Sequence, residues 1–251
     1  TYVDITVLRG ENAEETPLHV ERRSIEVPTV EYQMLENQVG YIYVTQFDEV
    51  TAKQFEDAID DLEDQGMEKL VIDLRNNPGG VLDTAVEMLA YVLPEDKLDG
   101  MLVYTADKNG EGDRYFCKDG KIQRESDDGS RDSRYPKEDD HELDVPLAVL
   151  VNGNSASASE VFTGAVMDYD AGIVVGTTTF GKGIVQNLIP LGDGTAIKLT
   201  TAHYYTPNGF DLHGKGLEPD VVVEMDEELQ KKAVVELSED NQLQAAIEAM
   251  N

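Results

Sequence analysis

Apolar and polar residues alternate along TYVDITVLRG (1–10), which ends in Arg-Gly; a period of two predicts one strand and a turn. SIEVPTVEYQMLENQVGYIYVTQF (24–47) shows the same period on both sides of a polar loop and predicts two further strands. At residue 51 the period changes. Ala52, Phe55, Ile59 and Leu62 recur at helical spacing in TAKQFEDAIDDLEDQG (51–66), with Thr51 expected as N-cap and Gly66 as C-cap.

EKLVIDLR (68–75) is a short apolar run of the kind covered on both sides, so a buried strand is expected. NNPGG (76–80) breaks it, and VLDTAVEMLAYVLP (81–94) is helical again. Residues 100–144 read as weak, charged strands, a hairpin with an irregular acidic loop at 124–144. VPLAVLVNG (145–153) predicts a second buried strand, followed by GNSASASE (153–160) and a helix over about 157–170. Two strands, GIVQNLIPL and TAIKLTTAHYYT, precede a turn at 207–209, and a last helix is expected over about 238–250. Strand-helix-strand-helix order in the middle implies an α/β core built from βαβ units, with added β structure on either side.

Length and composition narrow this picture. The 251 residues, 40% of them hydrophobic, suffice for a sizeable core, and no apolar run nears the ~18 residues of a membrane span. The chain begins at Thr1, so the lack of a leader among these residues says little about compartment. A net charge of −31, from 20 basic and 51 acidic residues, argues against nucleic acid or anionic lipid as a broad-surface partner. EDDHELD (138–144) lacks the glycine-anchored spacing of a calcium loop, so no metal is expected there. Cys117 is the one cysteine, which excludes an intrachain disulfide and reads as a half-buried strand residue. The four histidines, at 19, 141, 203 and 213, show no metal-binding spacing. Catalysis in this chain has to be considered without histidine.

The strand-to-helix junction at GNSASASE puts serines where free backbone N–H groups and the helix dipole favour a developing oxyanion. DLRNNPGG places a second such junction after the other buried strand, and two junctions on one sheet edge can converge on a cleft. A serine needs a base, and Lys182 in FGKG (180–183) is the candidate. A free lysine, with a pKa of ~10.4, is a cation at neutral pH. Burial among Phe180, Ile184 and the backbone of Gly181 and Gly183 is expected to disfavour that charge. Each motif has a plainer reading: Ser155 or Ser157 as a helix cap with Glu160 completing a capping box, GKG as a solvated turn, NNPGG as a turn.

Taken together, LVIDLRNNPGG, VLVNGNSASASEVFTGAVMDY, VVGTTTFGKGIVQ and GKGLEPDVVV (214–223) resemble, in order and spacing, the carboxyl-terminal processing (tail-specific) proteases of the serine-lysine type. The resemblance runs from about residue 24 to 250. It implies Ser157 as nucleophile, Lys182 as general base and Gln186 as the residue orienting the lysine, with Asp168 a supporting acid or simply a helix-end acid. It also implies an oxyanion hole from the backbone amides of Ala158 and of Gly79 or, second choice, Gly80. No cofactor is implied. The implied fold is an α/β, crotonase-like (ClpP/crotonase-type) ββα core with a β-rich cap region from the chain ends. A protein or peptide substrate would lie extended as an added strand.

The implied division is a closing strand of a truncated PDZ domain at 1–10, part of the cap and the first core elements at 11–67, the protease core at 68–224 and a helical segment at 225–251. Members usually carry a whole PDZ domain before the core. The family implies an extracytoplasmic setting, with membrane association only through segments outside these residues. It includes monomers and dimers, and 24–47 and 225–251 are the segments to search for a homodimer contact. Two other classes share the core fold: a noncatalytic module that binds a ligand or partner, and an acyl-CoA enzyme, against which the acidic charge and the GKG motif count.

Overall fold

The computed structural model of the chain describes residues 1–10, 12–23, 25–93, 100–118, 121–136, 143–232 and 234–251. β1 (Tyr2–Arg9) and β2 (Glu14–Glu21) pair antiparallel as a two-stranded sheet of their own. The core sheet uses β3 (Val30–Met34), β4 (Val39–Val44), β5 (Lys69–Asp73), β10 (Leu147–Val151), β11 (Ile173–Gly176) and β14 (Val221–Val222), in the order β14-β11-β10-β5-β4-β3. All neighbours in it are parallel except β3 and β4. The second sheet, antiparallel throughout, joins β12 (Ile184–Pro190), β13 (Ala196–Tyr205), β6 (Met101–Ala106), β7 (Asp113–Lys118), β8 (Lys121–Ser126) and β9 (Arg131–Pro136) in that order.

Side-chain alternation decides which face each helix covers. Ile42, Val44, Leu70, Ile72, Val149 and Val151 form one core with α1 (Thr51–Asp64), α2 (Leu82–Val92) and α3 (Ala158–Asp168). Leu102, Val103, Tyr115, Cys117 and Ile122 close that core from the second sheet. The alternate residues Val39, Tyr41, Val71, Ala148 and Leu150 face the other way, onto Leu243, Ala246 and Met250 at α5 (Asn241–Ala249), which follows the short α4 (Glu227–Gln230). β5 and β10 are thus covered on both sides, which is why they read as unbroken apolar runs.

The expected βαβ order and the boundaries of both buried strands hold to within about two residues. Thr51 is the first helical residue, not the cap; its hydroxyl accepts the Asp48 N–H at 2.8 Å. Gly66 ends α1 as expected, with φ +83°. The acidic stretch from 124 is more regular than its charge suggested. β8 and β9 form a hairpin around a turn in which Asp128 accepts the Ser130 N–H. Charge there hid the strands; among the described side chains of β8, Ile122 is buried and apolar. Residues 137–142, including most of EDDHELD and His141, lie outside the described residues. β2 also escaped notice, because Pro17 interrupts it; a two-stranded ribbon tolerates proline on its free side.

Candidate active site

β5 and β10 are parallel neighbours, with Leu70 opposite Leu147 and Asp73 opposite Leu150, so the loops leaving their C-terminal ends lie side by side. Buried side chains stitch them together. Ser155 Oγ donates to Leu74 O at 2.8 Å, Ser159 Oγ donates to Asn77 O at 3.0 Å, and the Ala156 N–H donates to the same Asn77 carbonyl. Asn77 is wholly buried; its Nδ2 donates to Val44 O and its Oδ1 accepts the Gly79 N–H. Ser155 and Ser159 are therefore fastening groups with 0% exposure. Ser157, between them, is half-buried.

Ser157 stands at φ 57°, ψ −115°, as the residue before α3. That conformation is strained for any residue with a Cβ, by about 1–3 kcal/mol, and it resembles the sharp strand-to-helix elbow that presents the serine in α/β-hydrolases. The Ala158 N–H, at the first turn of α3, has no acceptor among the described residues. Across from it, Gly79 (φ +92°) is so close that a Cβ there would lie 2.5 Å from Ala156 O and 2.8 Å from both Ala158 N and Ser157 Cβ. Gly80 bridges to Phe47, where a Cβ would overlap Phe47 O. Phe47 occupies the Gly79 carbonyl and the Val81 N–H, leaving the Gly80 N–H without an acceptor among the described residues.

Lys182 lies in the loop between β11 and β12. Gly181 takes φ +85°, and the Phe180 N–H donates to Ser155 O at 3.0 Å, so the loop rests on the serine turn. The tie between the two is Glu160, with 0% exposure. Its Oε1 accepts from Thr179 Oγ1 at 2.6 Å and the Gly181 N–H at 2.7 Å. Its Oε2 accepts from the Ser157 N–H at 2.9 Å and the Lys182 N–H at 2.8 Å. Two bonds to one oxygen bring the Ser157 and Lys182 backbone nitrogens within about 6 Å of each other, inside the reach of a lysine side chain.

Other expected residues fall differently. Phe180 is 63% exposed, so it does not bury Lys182 as expected; the flanking glycines and the half-buried Ile184 remain around it. Gln186 is exposed on β12, its Nε2 donating to Thr200 Oγ1 at 3.4 Å on β13. Asp168 closes the far end of α3, a helix about 16 Å long, and accepts the Asn208 N–H at 2.7 Å. It clasps the 207–209 turn, away from Ser157. Among the described residues no group of three acids, histidines or cysteines is placed to hold a metal ion.

Sequence reasoning passed over Asn77, Thr179 and the full part of Glu160, which it read only as a cap. It also missed the support behind β5. Arg75, 8% exposed, donates through Nε and Nη2 to Asp73 and pairs with Asp240 at 2.7 Å, while Tyr41 donates to Asp73 at 2.7 Å. The alternation of charge in IDLR carried a faint signal of this, but its partner Asp240 lies 165 residues away.

The sequence profile of peptidase family S41 matches residues 38–223, a span holding both junctions, the lysine loop and GKGLEP. The chain belongs to peptidase family S41. The "Probable CtpA-like serine protease" of Staphylococcus aureus strain COL is 38% identical over 224 residues, and its counterpart in Staphylococcus epidermidis 39% over 223. Each alignment covers 89% of this chain and 40% of the relative, so the chain spans 40% of the length of these relatives. Among solved structures, the photosystem II D1 C-terminal processing protease superposes with a TM-score of 0.62 at 28% identity, over 89% of this chain and 56% of that one. A lipoprotein from Streptococcus agalactiae shares the fold, with a TM-score of 0.56 at 20% identity over 78% of this chain and 65% of that one.

Proposed function

We propose that this S41 chain is the catalytic core of a serine endopeptidase that cleaves protein substrates near their C-termini through an acyl-enzyme, with Ser157 as nucleophile and Lys182 as general base. The observation that carries the reading is the single Glu160 oxygen shared by the Ser157 and Lys182 amides, which holds the two residues side by side. Ser157 Oγ attacks the scissile carbonyl as Lys182 Nζ takes its proton. The amine leaves with a proton returned by the lysine, and water then hydrolyses the ester with lysine again as base. The Ala158 amide donates to the oxyanion. Its partner is the Gly80 amide in preference to Gly79, because the Gly79 N–H is already given to Asn77 Oδ1.

Gln186 is the candidate for orienting Lys182, and its 3.4 Å bond to Thr200 is long enough to be exchanged. We assign Asp168 a structural part, supported by its grip on Asn208. The parallel core sheet, helices on both faces and second antiparallel sheet support a crotonase-like core with a cap region. The isolated β1–β2 ribbon supports the reading of 1–10 as the closing strand of a PDZ domain, and the family supports an extracytoplasmic setting and an extended peptide as partner. The test is hydrolysis of a fluorogenic peptide or of casein by Ser157→Ala and Lys182→Ala, each expected to lose at least ~10³-fold in kcat/KM. Wild-type rates from both variants would remove the mechanism.

A further inference from the structure

We infer that Glu160 is a positioning residue of the catalytic site: its carboxylate sets the lysine loop against the nucleophile turn, beyond any role as a helix cap. The inference rests on the Ser157/Lys182 reading. A carboxylate offers about four lone-pair sites, and here each is taken by a different donor. Only one of the four, the Ser157 N–H, is the bond a capping box makes. The other three, Thr179 Oγ1, Gly181 N–H and Lys182 N–H, come from the segment that carries the proposed base.

A capping glutamate ordinarily stands at the surface. Glu160 is fully buried and faces the loop across the start of α3. Thr179 extends the connection: its hydroxyl accepts the Leu217 N–H at 2.8 Å, and its own N–H donates to Leu217 O at 3.0 Å. One side chain therefore joins the serine elbow, the FGKG loop and the GKGLEP segment. The Phe180 N–H to Ser155 O bond is a further backbone tie between the loop and the serine turn. Removing the carboxylate frees the lysine to drift relative to Ser157, while the core beneath α3 stays in place.

Glu160→Gln is close in size but presents an NH2 group to two of the four donors, so it cannot reproduce the arrangement. Peptide hydrolysis by the 251-residue chain is to be measured for this variant beside Ser157→Ala and Lys182→Ala, with labelling of Ser157 by a fluorophosphonate and with thermal unfolding. The expected result is a fall of ~10²-fold or more in kcat with KM within ~3-fold, and a matching fall in labelling rate in a protein that still unfolds cooperatively. A simple cap would lower the unfolding temperature and leave kcat and labelling of the folded fraction alone; that result overturns the inference. If Glu160→Gln does not fold, Thr179→Val decides. It removes one donor, and a kcat drop of ~10-fold at unchanged KM supports the positioning role, whereas wild-type kcat overturns it. Inactive Ser157→Ala and Lys182→Ala beside a fully active Glu160→Gln reject the positioning role alone. Active Ser157→Ala and Lys182→Ala reject the dyad and the inference with it.

Discussion

Gly79→Ala tests whether two strand ends really meet in one site. The new methyl carbon would lie 2.5 Å from Ala156 O and 2.8 Å from Ala158 N, where ordinary contact begins at 3.4 Å. The serine turn or the PGG loop must therefore give way by about 1 Å, and both are bound through buried backbone groups that cannot swing aside. A displacement of about 1 Å at a reacting group costs ~10²-fold in rate. The φ of +92° adds strain of about 1–2 kcal/mol for alanine, and the overlap about 1–3 kcal/mol more. Gly192→Ala separates the two effects, since φ there is +84° and no atom lies within 4 Å of the added carbon. The assays are urea unfolding and steady-state peptide hydrolysis. Gly192→Ala should lose only the strain and keep its kcat, while Gly79→Ala should lose both stability and ~10²-fold in kcat. Equal kcat in the two variants would refute the convergence of the loops on Ser157.

Asp240→Ala removes a buried partner of Arg75 and also the cap of α5, where the carboxylate accepts the Gln242 and Leu243 N–H groups. The cap contributes about 1 kcal/mol and the charged hydrogen bonds about 1.5–3 kcal/mol, so urea unfolding should show a loss of about 2.5–4 kcal/mol. A loss no larger than the cap's share of about 1 kcal/mol would mean that Asp73 alone suffices for Arg75. Glu87 lines a small cavity with Asp83, Arg124 and Asp132, and its carboxyl is pushed up to about 7 by burial and by the Asp83 charge. Its folded-state value lies above the unfolded one, so it favours the folded state at low pH, an advantage lost as pH rises to about 7. Glu87→Gln should thus raise the unfolding temperature at pH 8 relative to wild type more than at pH 4; an equal shift at both pH values would contradict the assignment.

The buried strands and the helices of the βαβ core were legible because each has a period that its burial imposes. Leu147–Val151 could hardly be anything but a covered strand. Ser157 stood out as a candidate only in company. SASASE alone reads as a cap, and the Glu160–Ser157 bond shows that reading was physically sound as well as incomplete. What stayed hidden is whatever depends on distant partners: the Asp240 pairing with Arg75, the Thr179 link to Leu217 and the capture of the Gly79 N–H by the Asn77 side chain. The burial of Lys182 by Phe180 failed for a related reason. An aromatic neighbour in sequence predicts nothing about the side to which a loop residue turns.

The parallel pairing of β5 with β10 has a consequence for how the candidate site comes together. Gly79 and Gly80 follow one strand, Ser157 the other, and Lys182 comes after a third, β11, so the three loops that meet here each come from a separate stretch of chain. Parallel pairing is non-local and forms late, after its loops have been closed. A nascent chain with α2 and α3 already coiled but the strands not yet docked holds Ser157 apart from both the PGG loop and the lysine loop. The candidate site in this architecture is a property of the finished sheet: its three loops meet only once β5, β10 and β11 are paired.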